Sequence, residues 1–250
     1  MAQPSRTCLP SRQQGIIRET ETPTNVSTIS TIPPVIAVTG LSFEARIAAG
    51  DGVSIVCSAD RQRLFALLNE AVGRGCSGII SFGTAGGLGL DVRAGCWVVA
   101  TGVVTNGNRF PTDVLWSQEL RQKLSHSIQG DIAGVDAPVA DPLAKSILRE
   151  RTGAVAVDME SHVAASVAAT RNLPFAACRV IIDPAQRALP PAALLGQRRD
   201  GTLDIIGVLA SVVRSPGQLP SLMRIAVDAR AARAALVRGR RLFGPNFSFP

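Results

Sequence analysis

The chain of 250 residues has no tyrosine, and aromatic residues make up only 4% of it. Stacking platforms for single-stranded nucleic acid are therefore scarce. Histidine occurs only at His126 and His162, too few and too isolated for a zinc site, and no metal is expected. The cysteines, Cys8, Cys57, Cys76, Cys96 and Cys178, include no CxxC pair. Four of them lie in apolar or glycine-rich runs and read as small core residues. An odd count without a framework points to a reducing compartment, the cytoplasm. No run approaches the roughly 20 apolar residues that span a bilayer. Residues 1–34 also lack the apolar stretch of a secretory signal.

Lysine is nearly missing too, present only at Lys123 and Lys145, so the net charge of +7 is almost wholly arginine. That charge is unevenly placed. Arg214, Arg224, Arg230, Arg233, Arg238, Arg240 and Arg241 stand against only Asp204 and Asp228 in residues 201–250. The rest of the chain is close to neutral. A basic tail suits an anionic surface, lipid headgroups or nucleic acid, and the scarcity of aromatics weighs against the latter.

What is present is alternation. The Ser/Thr/Pro-rich residues 1–34 read as a flexible arm. From Pro34, short β-branched runs at 35–39, 53–58, 78–83, 96–105, 131–139, 154–158 and 175–183 read as strands. Helical stretches separate them. In the one at 60–75, Leu64, Leu67, Leu68, Ala71 and Val72 share a face, with Asp60 as a plausible N-cap. The pattern implies an α/β domain over 35–200, with a largely parallel sheet and helices on both faces. In such sheets, ligands bind beyond the carboxyl ends of strands. Residues 201–250 form a basic extension in which 202–213 and 221–243 read as amphipathic helices. The second is either a membrane-surface helix or one packed on the body.

The chemistry-bearing residues collect after strands. In Gly83-Thr84-Ala85-Gly86-Gly87-Leu88-Gly89, glycines let backbone N–H groups approach a ligand, or simply make a tight turn. The spacing is neither a dinucleotide fingerprint nor a P-loop. In Val157-Asp158-Met159-Glu160-Ser161, two acids interrupt an apolar run. A helix cap and a dipole charge account for one more comfortably than for both. A carboxylate here could accept bonds from the vicinal hydroxyls of a ribose. In Cys178-Arg179-Val180-Ile181-Ile182-Asp183, Arg179 and Asp183 share a strand face. They read equally as an ion pair inside the sheet or as a buried carboxyl kept protonated for acid catalysis. Glu44, following the first strand, can reach the same edge or stay solvated.

Together these segments resemble the purine nucleoside and uridine phosphorylase superfamily over Val35 to Pro190. Within it they resemble the methylthioadenosine/S-adenosylhomocysteine nucleosidases. The motifs are GTAGGL, Met159-Glu160 in VDMES, and RVIID ending in Asp183. The runs TGLSFEARIA and RVIIDPAQRALPPAA look more specifically like the hopanoid-associated nucleosidases, which release adenine from adenosylhopane. The resemblance implies a mixed, mostly parallel, barrel-like sheet wrapped by helices. Asp183 would act on the purine N7, Glu160 would grip the ribose hydroxyls with Met159 against the sugar, and Glu44 would direct the attacking water. Thr84, Ala85 and Gly86 would line the pocket, with Arg179 beside them. No cofactor is implied, and phosphate enters only as a co-substrate of phosphorolysis. A homo-oligomer is implied, as is a lipid-linked purine nucleoside met at the inner membrane surface through the arginine-rich tail.

The chain departs from the superfamily pattern where Ile182 replaces a common serine, and where Val139 stands in the region of the purine-stacking aromatic. A wider, more apolar pocket follows. The nearest rival is a nucleoside phosphorylase, with Arg46 and Arg109 available to phosphate, although Glu44 would repel an anion. A rival of another class is a non-catalytic nucleoside- or lipid-binding protein.

Overall fold

The computed structural model describes residues 32–188 and 219–250. Residues 1–31 of the expected arm over 1–34, and the expected helix at 202–213, lie outside the described residues. Eight strands follow in the order β1 (Val35–Thr39), β2 (Val53–Cys57), β3 (Gly78–Gly87), β4 (Trp97–Thr105), β5 (Asn108–Pro111), β6 (Ile128–Gly134), β7 (Ala156–Asp158) and β8 (Phe175–Asp183). Interleaved are α1 (Ser42–Ala48), α2 (Arg61–Gly73), α3 (Val114–Lys123), α4 (Pro142–Thr152) and α5 (Ser161–Thr170), and after β8 come α6 (Leu219–Phe243) and a short 3-10 helix (Pro245–Ser248).

The sheet is mixed and closes on itself. Its path runs β2-β1-β3-β7-β6-β4-β5, and β8 bridges β3 and β4. Pairing is parallel for β1·β2, β1·β3, β3·β8, β4·β6 and β6·β7, and antiparallel for β3·β7, β4·β8 and β4·β5. The ring β3-β7-β6-β4-β8 is therefore a small barrel, with β1 and β2 extending from β3. The sequence reading stopped the third strand at Gly83. Here it continues through Gly87, because the glycine segment pairs with both β7 and β8. The sixth strand begins earlier than expected, at Ile128, and ends at Gly134.

Burial on both sides explains the unbroken apolar strands. Ile36 and Val38 of β1 face a core built with Leu64, Leu68 and Ala71 of α2 and Val163, Ala164 and Val167 of α5. Val35 and Ala37 face a second core formed with Trp116 and Leu120 of α3 and Ala232, Ala235, Leu236 and Phe243 of α6. Helix starts are set by aspartates. Asp60, Asp113 and Asp141 each accept a backbone N–H in the first turn, and Pro142 follows Asp141 where its missing donor costs nothing.

The arginine-rich α6 packs on the body. Gly239 lies so close to Trp97 that a Cβ there would stand 2.3 Å from the indole ring. Arg240 donates to Ala48 O at 2.9 Å and stacks 4.4 Å above Phe247. The exposed face of the helix still carries Arg224, Arg230, Arg233, Arg238 and Arg241 with Met223 and Val227. No helix among the described residues is long and apolar enough to cross a membrane.

Candidate active site

The register around β3 assembles the site. On one side Gly86 stands opposite Val157 of β7, and the next residues of that chain are Asp158, Met159 and Glu160. On the other side Gly83 aligns with Arg179 and Gly86 with Asp183 of β8. A register shift between Ala85 and Gly86 passes over Ile182 and brings Asp183 level with Gly86. One strand thus holds Thr84, Ala85 and Gly86 between the two acid-bearing segments. Glu44 reaches the same place from α1.

Glu44 is buried at 1% exposure and fully engaged. Its Oε1 accepts from Thr84 N at 2.8 Å and Thr84 Oγ1 at 2.7 Å. Its Oε2 accepts from Gly40 N at 3.2 Å and Leu41 N at 3.1 Å. It is not the solvated helix-start glutamate its segment alone would suggest.

Arg179, with no exposed surface, is the hub of the cluster. Its Nε lies 2.8 Å from Asp158 Oδ2 and its Nη2 3.2 Å from Glu160 Oε2. Nη2 also donates to Ser81 Oγ at 2.6 Å, and Nη1 to Thr84 O at 3.4 Å. Asp158 in addition accepts from Ser161 N at 2.9 Å and from the Ser161 hydroxyl. It therefore serves both as a cap to α5 and as a counter-ion. Burial alone would lower the guanidinium pKa, but the carboxylates of Asp158, Glu160 and Glu44 together raise it. Burial pushes the Glu160 carboxyl up to about 8, against the attraction of Arg179 and with the help of Asp158 and Glu44.

Asp183 belongs to a second pair. The sheet-internal ion pair of Arg179 with Asp183, one of two readings from the sequence, is not what forms. The two residues take separate partners. Asp183 Oδ2 lies 2.5 Å from Nζ of Lys145, a residue of α4 with no exposed surface. Burial holds the Asp183 carboxyl above its ordinary range, and Lys145 opposes that shift. Both carboxyl oxygens face Gly86, where a Cβ would come within 3.2 Å of Oδ1 and 3.4 Å of Oδ2. Thr84 and Gly86 are two residues apart, about 7 Å along the strand. Met159 is half-buried.

Val139 lies apart from the acids, in a cleft of 630 Å³ lined by Thr105, Gly134, Val135, Asp136, Val139 and Ala144 among others. Residues of the cleft neighbour members of both clusters along the chain or across the sheet. Gly134 is in register with Asp158, Asp136 bonds His162 Nε2 at 3.0 Å just past Glu160, and Ala144 adjoins Lys145. Glu44, Glu160 and Asp183 do not line it. Sequence reasoning missed Lys145 and Ser81, and read Ser161 only as a possible helix cap. The one signal for Lys145 was its rarity. Among the described residues, no group of three or more His, Cys, Asp or Glu side chains is placed to hold a metal ion.

A closed mixed sheet that gathers acids, a buried arginine and a buried lysine around one glycine-rich strand defines an α/β enzyme of the nucleosidase or nucleoside phosphorylase class. The family model of the phosphorylase superfamily matches residues 19–198, and the chain belongs to that superfamily. No curated protein sequence matches it. Among solved structures it is similar to the 5′-methylthioadenosine/S-adenosylhomocysteine nucleosidase of Neisseria meningitidis (TM-score 0.61, 15% identity, covering 87% of this chain and 100% of that one). It is also similar to the S-adenosylhomocysteine nucleosidase of Streptococcus pyogenes (TM-score 0.57, 15% identity, 87% and 99%). A third is the futalosine hydrolase of Helicobacter pylori (TM-score 0.54, 16% identity, 61% and 88%).

Proposed function

We propose that the chain hydrolyses the N-glycosidic bond of a 5′-substituted adenosine and releases adenine. The observation that carries this reading is the convergence of Glu44, Glu160 and Asp183 on the Gly83–Gly86 stretch of one strand. Asp183 assists departure of the base at N7, while Glu160, with Met159 beside the sugar, holds the ribose 2′- and 3′-hydroxyls. As the C1′–N9 bond breaks, its electron pair passes to the purine and positive charge develops on the sugar. Water then bonds to C1′ and yields its proton to Glu44. Four donors already occupy the roughly four acceptor sites of the Glu44 carboxylate. In this reading the water takes the place of the rotatable Thr84 hydroxyl.

Hydrolysis is favoured over phosphorolysis by two details. The Gly40 and Leu41 N–H groups, which could cradle an anion, are already spent on Glu44. Arg109 is held by Asp131 through bonds of 2.6 and 2.8 Å. For the substrate we read adenosylhopane. A bulky apolar 5′-substituent is supported by the cleft at Val135, Val139 and Ala144, and a lipid surface by the exposed arginines of α6 with Met223 and Val227.

The test is incubation with several 5′-substituted adenosines, including a lipid-linked one in anionic vesicles, with and without phosphate. Adenine and free ribose product without phosphate are expected, with activity lost in Asp183→Asn while the fold is kept. Ribose 1-phosphate formed only with phosphate would establish the phosphorylase instead. Tight binding without turnover would establish a binding protein.

A further inference from the structure

We propose that Lys145 is a positioning residue of the reaction, one that holds Asp183 and passes a proton through it to the departing base. This deepens the nucleosidase reading and rests on it. The first ground is an inversion of helix α4. Leu143 and Ile147 of that helix are 69% and 47% exposed, whereas Lys145 between them is wholly buried. An apolar core would draw the leucine and isoleucine inward and leave the lysine in water. An ammonium buried this way is costly unless every proton finds an acceptor. All three do, in Asp183 Oδ2 at 2.5 Å, Pro184 O at 3.1 Å and Arg187 O at 3.3 Å.

The second ground is residue choice. The chain uses lysine at two positions and fills the rest of its basic sites with arginine. A guanidinium holds its proton at any working pH, whereas an ammonium in contact with a carboxylate can transfer one. Lys145 stands where transfer is useful, whereas Lys123 is an exposed residue in the last turn of α3.

The third ground is the geometry of the carboxyl group. Oδ2 is bound to the lysine, and both carboxyl oxygens lie within 3.4 Å of a Cβ placed at Gly86, at the glycine-lined end of β3 where a base would lie. The Lys145 ammonium gives a proton to Oδ2 of the Asp183 carboxylate, and the carboxyl group so formed, turning about its Cβ–Cγ bond, gives that same proton to N7 as the C1′–N9 bond breaks. The pair ends as a carboxylate beside a neutral amine, and the proton shed by the attacking water restores the ammonium through solvent. The charged groups acting on Asp183 among the described residues are Lys145 and Arg187.

A staple that merely ties the turn after β8 to α4 would use the same two carbonyls, so the test must read protonation. In Lys145→Met, Asp183 loses the partner that holds its proton affinity down and must carry its own proton. Adenine release should slow by roughly 100-fold in kcat. Its pH profile should gain a limb that falls as pH rises, over a range where the wild type is flat. Lys145→Arg, which keeps the charge, should stay flat but slow. Where Lys145→Met fails to fold, the Arg variant carries the test, since wild-type kcat in it would refute proton transfer. A Lys145→Met enzyme with the wild-type profile and only a uniform loss would overturn the proposal while leaving the nucleosidase reading intact. Absence of base release by the wild type from every nucleoside would overturn that reading itself.

Discussion

Three carboxylates, Glu44, Asp158 and Glu160, surround the single guanidinium of Arg179, and all four groups are buried. Fully ionised, the cluster would carry two uncompensated negative charges in a medium that tolerates none. One acid should therefore be protonated in the free enzyme. Glu44 has four donors, and Asp158 has the closest arginine contact together with two donors from Ser161. Glu160 has the 3.2 Å contact and a backbone hydrogen bond from Met159, and caps no helix N–H. It is the one whose carboxyl is raised, to about 8 from an ordinary 4.5. Between those values the folded protein keeps a proton the unfolded chain has released, so stability falls as pH rises. One retained proton gives a slope of about 1.4 kcal/mol per pH unit, and the whole interval is worth on the order of 5 kcal/mol. Glu160→Gln removes this dependence. Urea unfolding at pH 5, 6, 7 and 8, followed by the fluorescence of Trp97 and Trp116, should show the variant equal to wild type at pH 5. It should be more stable by several kcal/mol at pH 8. Asp183 is also raised and contributes with the same sign, but it is common to both proteins and drops out of the difference. A stability difference that does not change over this range would refute the claim that Glu160 carries the extra proton.

Two further substitutions probe the scaffold of the site. In Gly40→Ala the new methyl would stand 2.2 Å from Glu160 Oε1 and displace the carboxyl. Steady-state kinetics should show the nucleoside KM rising roughly tenfold, about 1.4 kcal/mol of lost ribose binding, with kcat changed less. In Gly239→Ala the methyl would meet the Trp97 ring at 2.3 Å, so α6 must shift outward. Overpacking of this kind costs about 1–3 kcal/mol, readable as a lowered urea midpoint with altered Trp97 emission.

Four charged residues were legible because each interrupts or ends an apolar run, where charge is costly and so invites explanation. Asp158, Glu160, Arg179 and Asp183 all stood out in this way, and the structure keeps all four buried. The alternation of strands and helices was equally plain, since β-branched runs of five or so residues leave little choice. Pairing partners were not legible. Two-residue periodicity put Arg179 and Asp183 on one face and suggested that they neutralise each other. That inference assumed an even register, which the shift between Ala85 and Gly86 breaks. Closure of the sheet likewise depends on β8 lying antiparallel to β4, a choice between edges that a strand's own residues do not encode.

Lys145 shows the deeper reason for such misses. Its helix has the spacing and caps expected of α4, and read alone its apolar residues should face inward. The preference is overruled by a single carboxylate from a strand 38 positions later, because an unpaired Asp183 in this interior would cost more than exposing Leu143 and Ile147. Local patterns describe what each segment would do in an averaged environment. A buried charge makes its own demand on whichever segment the fold brings beside it, and that demand can only be read once both are in place. Residues of this kind are where a structure adds to a sequence the information that bears on chemistry.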